Sequence, residues 1–212
     1  MKYLTFLLIS GLLVPPGVQA HEGPHASATP ATAAPAPKLQ ATLRTLWHGH
    51  VEKTREYAFA VKAGDGKRSD AAANAVVANA KQLADAVASF YGPPAGERML
   101  ALLGGHWGAV KAMTDAERAG NRAAVNTAMS TLTQNAGEIA VFLSGANPYL
   151  PQDAVRGLLM AHGAHHAAQI GEVMRGDRTG EAKTWAAMQK HMDTIADAMA
   201  GALAKQFPNK VS

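Results

Sequence analysis

The 212-residue chain contains no cysteine, so neither a disulfide nor a lipid-attachment cysteine is available to it. Aromatic residues are scarce at 6%, and charged residues reach only 17% against 48% hydrophobic ones. No run of Lys and Arg interleaves with aromatics, which leaves nucleic-acid binding without support. The formal charge of +4 is mild, and loss of Lys2 would lower it by one. From Leu39 onward several chemical signatures are missing as well. No His is preceded three residues earlier by Glu, so the signature of carboxylate di-iron bundles is absent. No Gly-x-Ser-x-Gly elbow, Gly-rich phosphate loop or zinc-protease motif occurs there. Inner carboxylates are few, with Asp85 and Glu138 the candidates, so acid–base catalysis has no footing. The balance leans away from an enzyme.

What remains is alanine-rich, with Leu, Met, Gln and Lys, residues that cost little in a helix. The first residues, MKYLTFLLISGLLVPPGVQA, place Lys2 before an apolar run from Leu4 to Val14, then Pro15-Pro16-Gly17 and the small-residue stretch ending at Ala20. This pattern predicts a signal peptide over 1–20, since the run falls short of the ~20 residues a bilayer span needs. An exported protein follows, periplasmic or secreted, with no membrane span after cleavage and no access to nucleotide cofactors. Residues 21–38, HEGPHASATPATAAPAPK, read as a Pro/Ala-rich tether. Cleavage would make His21 the new N-terminus, where its amine and ring could chelate copper with His25 nearby; a tail that merely begins with His is the simpler alternative.

Residues 39–212 hide a repeat. His50, His106 and His162 each stand four residues after a Leu and are 56 residues apart. Gly64-Asp65, Gly120-Asn121 and Gly176-Asp177 follow at a common offset, and then Asn79, Asn135 and His191 at another. The coincidences predict three tandem units, about 40–93, 94–150 and 151–208. In each, one helix ends at Gly, which accepts a left-handed conformation, and the next begins after a capping Asp or Asn. The expected fold is an all-α bundle of six helices made from three antiparallel hairpins, spanning 39–63, 69–90, 95–119, 122–144, 152–175 and 180–206. Whether the hairpins surround one axis or stack in an array stays open.

Three- and four-residue steps put each repeated His on an apolar face: Leu46, His50, Thr54 and Tyr57; Leu102, His106, Val110 and Met113; Leu158, His162, His166 and Gln169. Asn79, Asn135 and His191 also point inward. Counting from the turns, Asn79 misses the level of His50 by four residues, about 6 Å. If side chains absorb that offset, each hairpin holds a structural polar pair: His50 with Asn79, His106 with Asn135, His162 with His191. Such pairs would satisfy buried groups and fix register without an ion.

Unit three departs from the others, with His166 one turn after His162 and His191 in place of Asn. Two imidazoles at i and i+4 with a third from the next helix suit a three-ligand zinc or copper site. Met188 and Met192 flank His191 as possible accessory thioethers that would favour copper, although gap-filling is the commoner use of Met. His165 lies off the stripe and is expected to be exposed.

The stretches LWHGHVEKTR, NAGEIAVFLSGANP and KQFP resemble a family of small all-helical bacterial proteins, common in spore-forming bacteria, that often carry unreliable enzyme names. The resemblance spans nearly all of 39–212. It implies that His50, His106, His162, Asn79 and Asn135 belong to the scaffold. In that family's pattern a Thr and a Glu stand where this chain has His166 and Gln169. The sequence thus points to metal handling or tolerance at His162, His166 and His191, and alternatively to a non-catalytic envelope scaffold or interaction module.

Overall fold

The computed structural model describes residues 36–211. Among them are six helices: α1 (Pro37–Ala63), α2 (Gly66–Tyr91), α3 (Pro93–Arg118), α4 (Arg122–Ala146), α5 (Gln152–Arg175) and α6 (Arg178–Gln206), with a 3₁₀ turn at Pro208–Lys210 and no strand. None of these helices is long and apolar enough to cross a membrane. The boundaries depart from the expected spans by at most three residues. α1 and α3 start early because Pro37 and Pro93-Pro94 occupy first-turn positions, where a missing N–H costs nothing. The last residues assigned to the tether are therefore helical. The signal-peptide reading and the rest of the tether, with His21 and His25, lie outside the described residues.

Three turns reuse one local structure. Gly64, Gly120 and Gly176 take φ of 71, 67 and 75°, the left-handed region where a Cβ is strained. The next residue's N–H reaches back to the carbonyls of Ala60, Ala116 and Glu172 at 3.0, 2.9 and 2.9 Å, the six-to-one bond of a Schellman end. The side chains of Asp65, Asn121 and Asp177 then accept from the N–H groups of Arg68, Ala124 and Gly180. One glycine and one cap thus reverse the chain three times at a 56-residue period.

The packing is a closed ring. α1, α3 and α5 touch one another, while α2, α4 and α6 fill the outer grooves between α1 and α3, α3 and α5, and α5 and α1. Each outer helix packs on both inner neighbours, so contacts alone do not set hairpins apart as separate bodies. Where first and last helices meet, ion pairs line the seam. The Arg44 guanidinium donates to both Asp197 oxygens at 2.8 and 2.5 Å, and His48 Nε2 lies 2.9 Å from Asp193. Arg55 donates to both oxygens of Glu181 and lies over the rings of Phe59 and Trp185. At the end opposite the glycine turns, the outer helices' C-termini are tied in series. Asn147 Nδ2 donates to Tyr91 Oη, which donates to Gln206 Oε1, and Gln206 Nε2 donates to the Ala146 carbonyl.

The core has two parts. One, toward that tied end, gathers Leu43, Trp47, Met99, Leu103, Met188 and Ile195 among others; the second, toward the turns, holds Tyr57, Val76, Trp107, Met113, Leu132 and Ile170. His106 and His162 fall between the two parts along α3 and α5, and His50 lies at the inner margin of the first part, beside Val51.

A candidate metal centre of four imidazoles

Because the inner helices face one another and carry His at the same level, His50, His106 and His162 converge. His166 joins from the next turn of α5. The four are 1 to 4% exposed, and ligand nitrogens from each lie within 4.8 Å of one another. Ring centroids are 4.4 to 5.9 Å apart for all six pairs, an arrangement close to a tetrahedron. His162 Nε2 and His166 Nε2 are 3.0 Å apart. Two nitrogens on one tetrahedral zinc would be separated by ~3.3 Å, given metal–nitrogen distances of about 2.0–2.1 Å. The remaining nitrogens need only draw in by about 1.5 Å, within reach of side-chain rotation.

Electrostatics holds these rings neutral. Burial pushes the His50 imidazole down to about 3, with His106 adding to the effect. His106 is pushed down to about 4 by burial, opposed in part by the Asn135 side chain. His162 and His166 are held well below the usual range by burial first and by neighbouring imidazoles second. Neutral imidazole is the metal-binding form, so no proton has to leave at pH 7. Meanwhile His50 Nδ1 and Nε2, His106 Nε2, His162 Nδ1 and His166 Nδ1 have no hydrogen-bonding partner. These orphaned atoms fit an ion's requirement for lone pairs. The donor set is all nitrogen, which suits zinc, copper, iron or nickel over calcium or magnesium.

The three-ligand set read from the sequence is revised. His162 and His166 do come together, but His191 does not join them. It sits on outer helix α6, and its Nε2 lies 2.8 Å from the Leu158 carbonyl. Asn79 Nδ2 donates to the Leu46 carbonyl and Asn135 Nδ2 to the Leu102 carbonyl, each at 3.0 Å. The expected pairs His50–Asn79 and His162–His191 are therefore not formed, whereas Asn135, besides its bond to the Leu102 carbonyl, stays close enough to His106 to favour the protonated ring. The 6 Å offset is real: each outer residue meets the backbone one turn before the His, where the level calculation puts it. Asn79 Oδ1, Asn135 Oδ1 and His106 Nε2 are left unpaired, in keeping with this.

Other readings need adjusting too. Met188 and Met192 are fully buried in the core toward the tied end, whereas Met99 and Met199 line the cavity beside the imidazoles. His165 is half-buried, its ring 5.4 Å from that of His191. Asp85 and Glu138 are exposed, so neither is an inner carboxylate. The buried one is Glu181, held below its ordinary range by Arg55 and further by Gln169, which donates to it at 3.0 Å. The sequence signal for Glu181 was weak, because it lies in the first turn of α6 and its partner Arg55 is 126 residues away. The letters His21-Glu22-Gly23-Pro24-His25 match the zinc-protease pattern, but Gly and Pro inside it oppose the helix that motif requires. That string also lies outside the described residues.

Comparisons with protein-family models, with curated proteins and with solved structures return no match for this chain.

Proposed function

We propose that the chain binds one transition-metal ion, copper or zinc, among His50, His106, His162 and His166, and serves metal handling without turning over a substrate. The observation that carries this is the set of five partnerless ring nitrogens in one buried layer. Leaving a buried polar atom unpaired costs about 1–3 kcal/mol. Five such atoms approach the ~5–15 kcal/mol by which whole domains are stable. An ion takes one nitrogen from each ring, so it converts at most four of these five into ligands, and where His162 and His166 bind through Nε2 their Nδ1 atoms are left as they are. Cu(I) brings the smaller charge into a site with no carboxylate, and Zn(II) brings the better match to tetrahedral nitrogen.

An exported location belongs to this reading and rests on the Lys2-to-Ala20 pattern. So does descent of the ring from one hairpin of about 56 residues, supported by the recurring caps and by the three contacts to a Leu carbonyl. A structural reading has its own support: the same three contacts set helix register with no ion involved. It predicts an envelope scaffold whose imidazole layer is bridged by water.

Metal titration of the chain and of His162→Ala/His166→Ala separates the two. Stoichiometric uptake of one ion, lost in the double variant, supports the metal centre. No uptake tighter than ~10 μM by the wild type, far weaker than structural sites, leaves the scaffold.

A further inference from the structure

Two cavities of about 30 Å³ lie in the half of the bundle toward the tied end. They share Trp47, Met99, Leu143, Leu150 and Met199 as walls and so are adjoining chambers. The first chamber ends on His50, His106 and His162, while His166 is not part of its wall. Its rim includes Leu158 and Met199, both partly exposed, and exposed Ala198, so it approaches the surface between α5 and α6. Away from the imidazoles the first chamber's walls are aliphatic, thioether and indole groups, and Trp47 Nε1 is a buried donor without a partner. A water there would find that single donor, fewer than the two to four partners that hold buried water in place. A charged or hydrogen-bonding ligand would lose several kcal/mol of hydration without return. A chamber of this size exceeds the ~10–15 Å³ that one water needs, which leaves room for a molecule of two heavy atoms.

We propose that the first chamber admits a neutral diatomic gas to the metal through the face framed by His50, His106 and His162. An ion held by four imidazoles has no vacant position. As the gas bonds to it, the bond to His166, the ring outside the chamber wall, is released, and the ion keeps three imidazoles with the gas as fourth ligand. The proposal rests on the four-imidazole metal reading above. It assigns the cavity a ligand class, apolar diatomics such as dioxygen, carbon monoxide or nitric oxide, and claims binding only.

The test uses the full chain loaded with Cu(I) without oxygen and then exposed to carbon monoxide, with infrared absorption reporting the bound gas. Copper titration is run in parallel. Leu103→Phe adds volume inside the first chamber, and Ala198→Phe adds it at the rim, where an exposed position tolerates change. One bound carbon monoxide per copper is expected in the wild type. Its band should appear at least tenfold more slowly in either variant, with copper uptake unchanged. Metal-free wild type should also perturb the ¹²⁹Xe NMR signal, and Leu103→Phe should abolish that effect. Copper uptake with no carbonyl band, wild-type rates in both variants, or no xenon response would make the first chamber a packing void only and overturn the proposal while sparing the metal centre. Absence of copper uptake in the titration would overturn both.

Discussion

Unit three and its two siblings occupy equivalent places in the ring, yet they bring different groups to the centre. One turn after the shared His, unit one presents Thr54, whose hydroxyl donates to the His50 carbonyl, and unit two presents Val110. Both choices end the polar layer. Unit three presents His166, whose ring sits 4.4 Å from that of His162 and completes the four-nitrogen cluster. Three inner helices that carry His at one level supply three imidazoles by repetition alone, and a fourth ligand requires one of them to break the pattern. The outer position teaches the converse. There unit three also differs, His191 for Asn, but the substitute makes the same kind of contact and brings no nitrogen into the four-imidazole cluster.

The largest effect that can test this comparison is acid. All four rings have depressed pKa values in the folded chain, about 3 for His50 and about 4 for His106, against ~6.5 unfolded. Below pH ~6.5 the unfolded chain therefore takes up more protons, and stability falls as pH falls. Each of those two rings contributes a loss on the order of 3–5 kcal/mol once its full shift is traversed. The metal-free chain is expected to unfold between about pH 6 and pH 4, followed by far-UV circular dichroism in a urea series. Glu181 and Asp197 are held below the carboxylate range by their arginines, so their contribution is lost only at lower pH and does not blur this window. Bound metal should move the transition to lower pH. A stability flat from pH 7 to 4 would mean the four rings do not share a dry layer.

Next in size is the change that makes unit three resemble unit one. His166→Thr removes one ligand and should weaken copper or zinc binding about 100-fold, since ligands matter at least as much as outer-shell partners. The metal-free variant should stay close to wild type in stability, because the orphaned His166 Nδ1 is removed while His162 Nε2 loses its partner. Equilibrium dialysis and thermal melts read the two effects separately. Unchanged affinity would return His166 to the role of scaffold.

A smaller test concerns what stands beneath the outer amides. A Cβ on Gly105 would come 3.1 Å from Asn135 Nδ2, and one on Gly49 would come 3.3 Å from Asn79 Nδ2. Unit three carries Ala161 at the corresponding place, opposite His191. Small residue and outer polar group thus change together. Gly105→Ala should forfeit most of the roughly 1 kcal/mol that Ala normally gains over Gly inside a helix. Gly105→Ala with Asn135→His should recover it. Additive effects in urea unfolding would show that the two positions are not coupled.

The sequence revealed the fold through features that act locally. The glycine turns, the Asp and Asn caps and the apolar stripes each depend on a few neighbouring residues, and all recur at one period. His162 and His166 could be paired for the same reason, as neighbours on one helix. His50 and His106 could not be added to them, because convergence depends on α1, α3 and α5 facing one another, which no local feature decides. That choice is made by long-range packing and by the α1–α6 seam, where Arg44, His48 and Arg55 meet partners 126 to 153 residues away. His191 departs from expectation for a different reason. The four-residue offset is legible in the sequence, but the His191 side chain does not stretch across it, because the Leu158 carbonyl one turn earlier offers a nearer acceptor.

His191→Asn is the smallest change and the sharpest. It gives unit three the amide that units one and two already use, and Asn79 and Asn135 show that an amide in this place reaches the carbonyl at 3.0 Å. One neutral hydrogen bond replaces another of similar worth, so stability should shift by less than ~0.5 kcal/mol. The ring of His165, 5.4 Å away, loses an aromatic neighbour that lowers its pKa, so its proton affinity should rise slightly, readable by NMR titration. Metal affinity should stay within about threefold of wild type, because His191 supplies no ligand. A loss near 100-fold would instead put His191 in the coordination shell and overturn the four-imidazole assignment in favour of the set drawn from unit three alone.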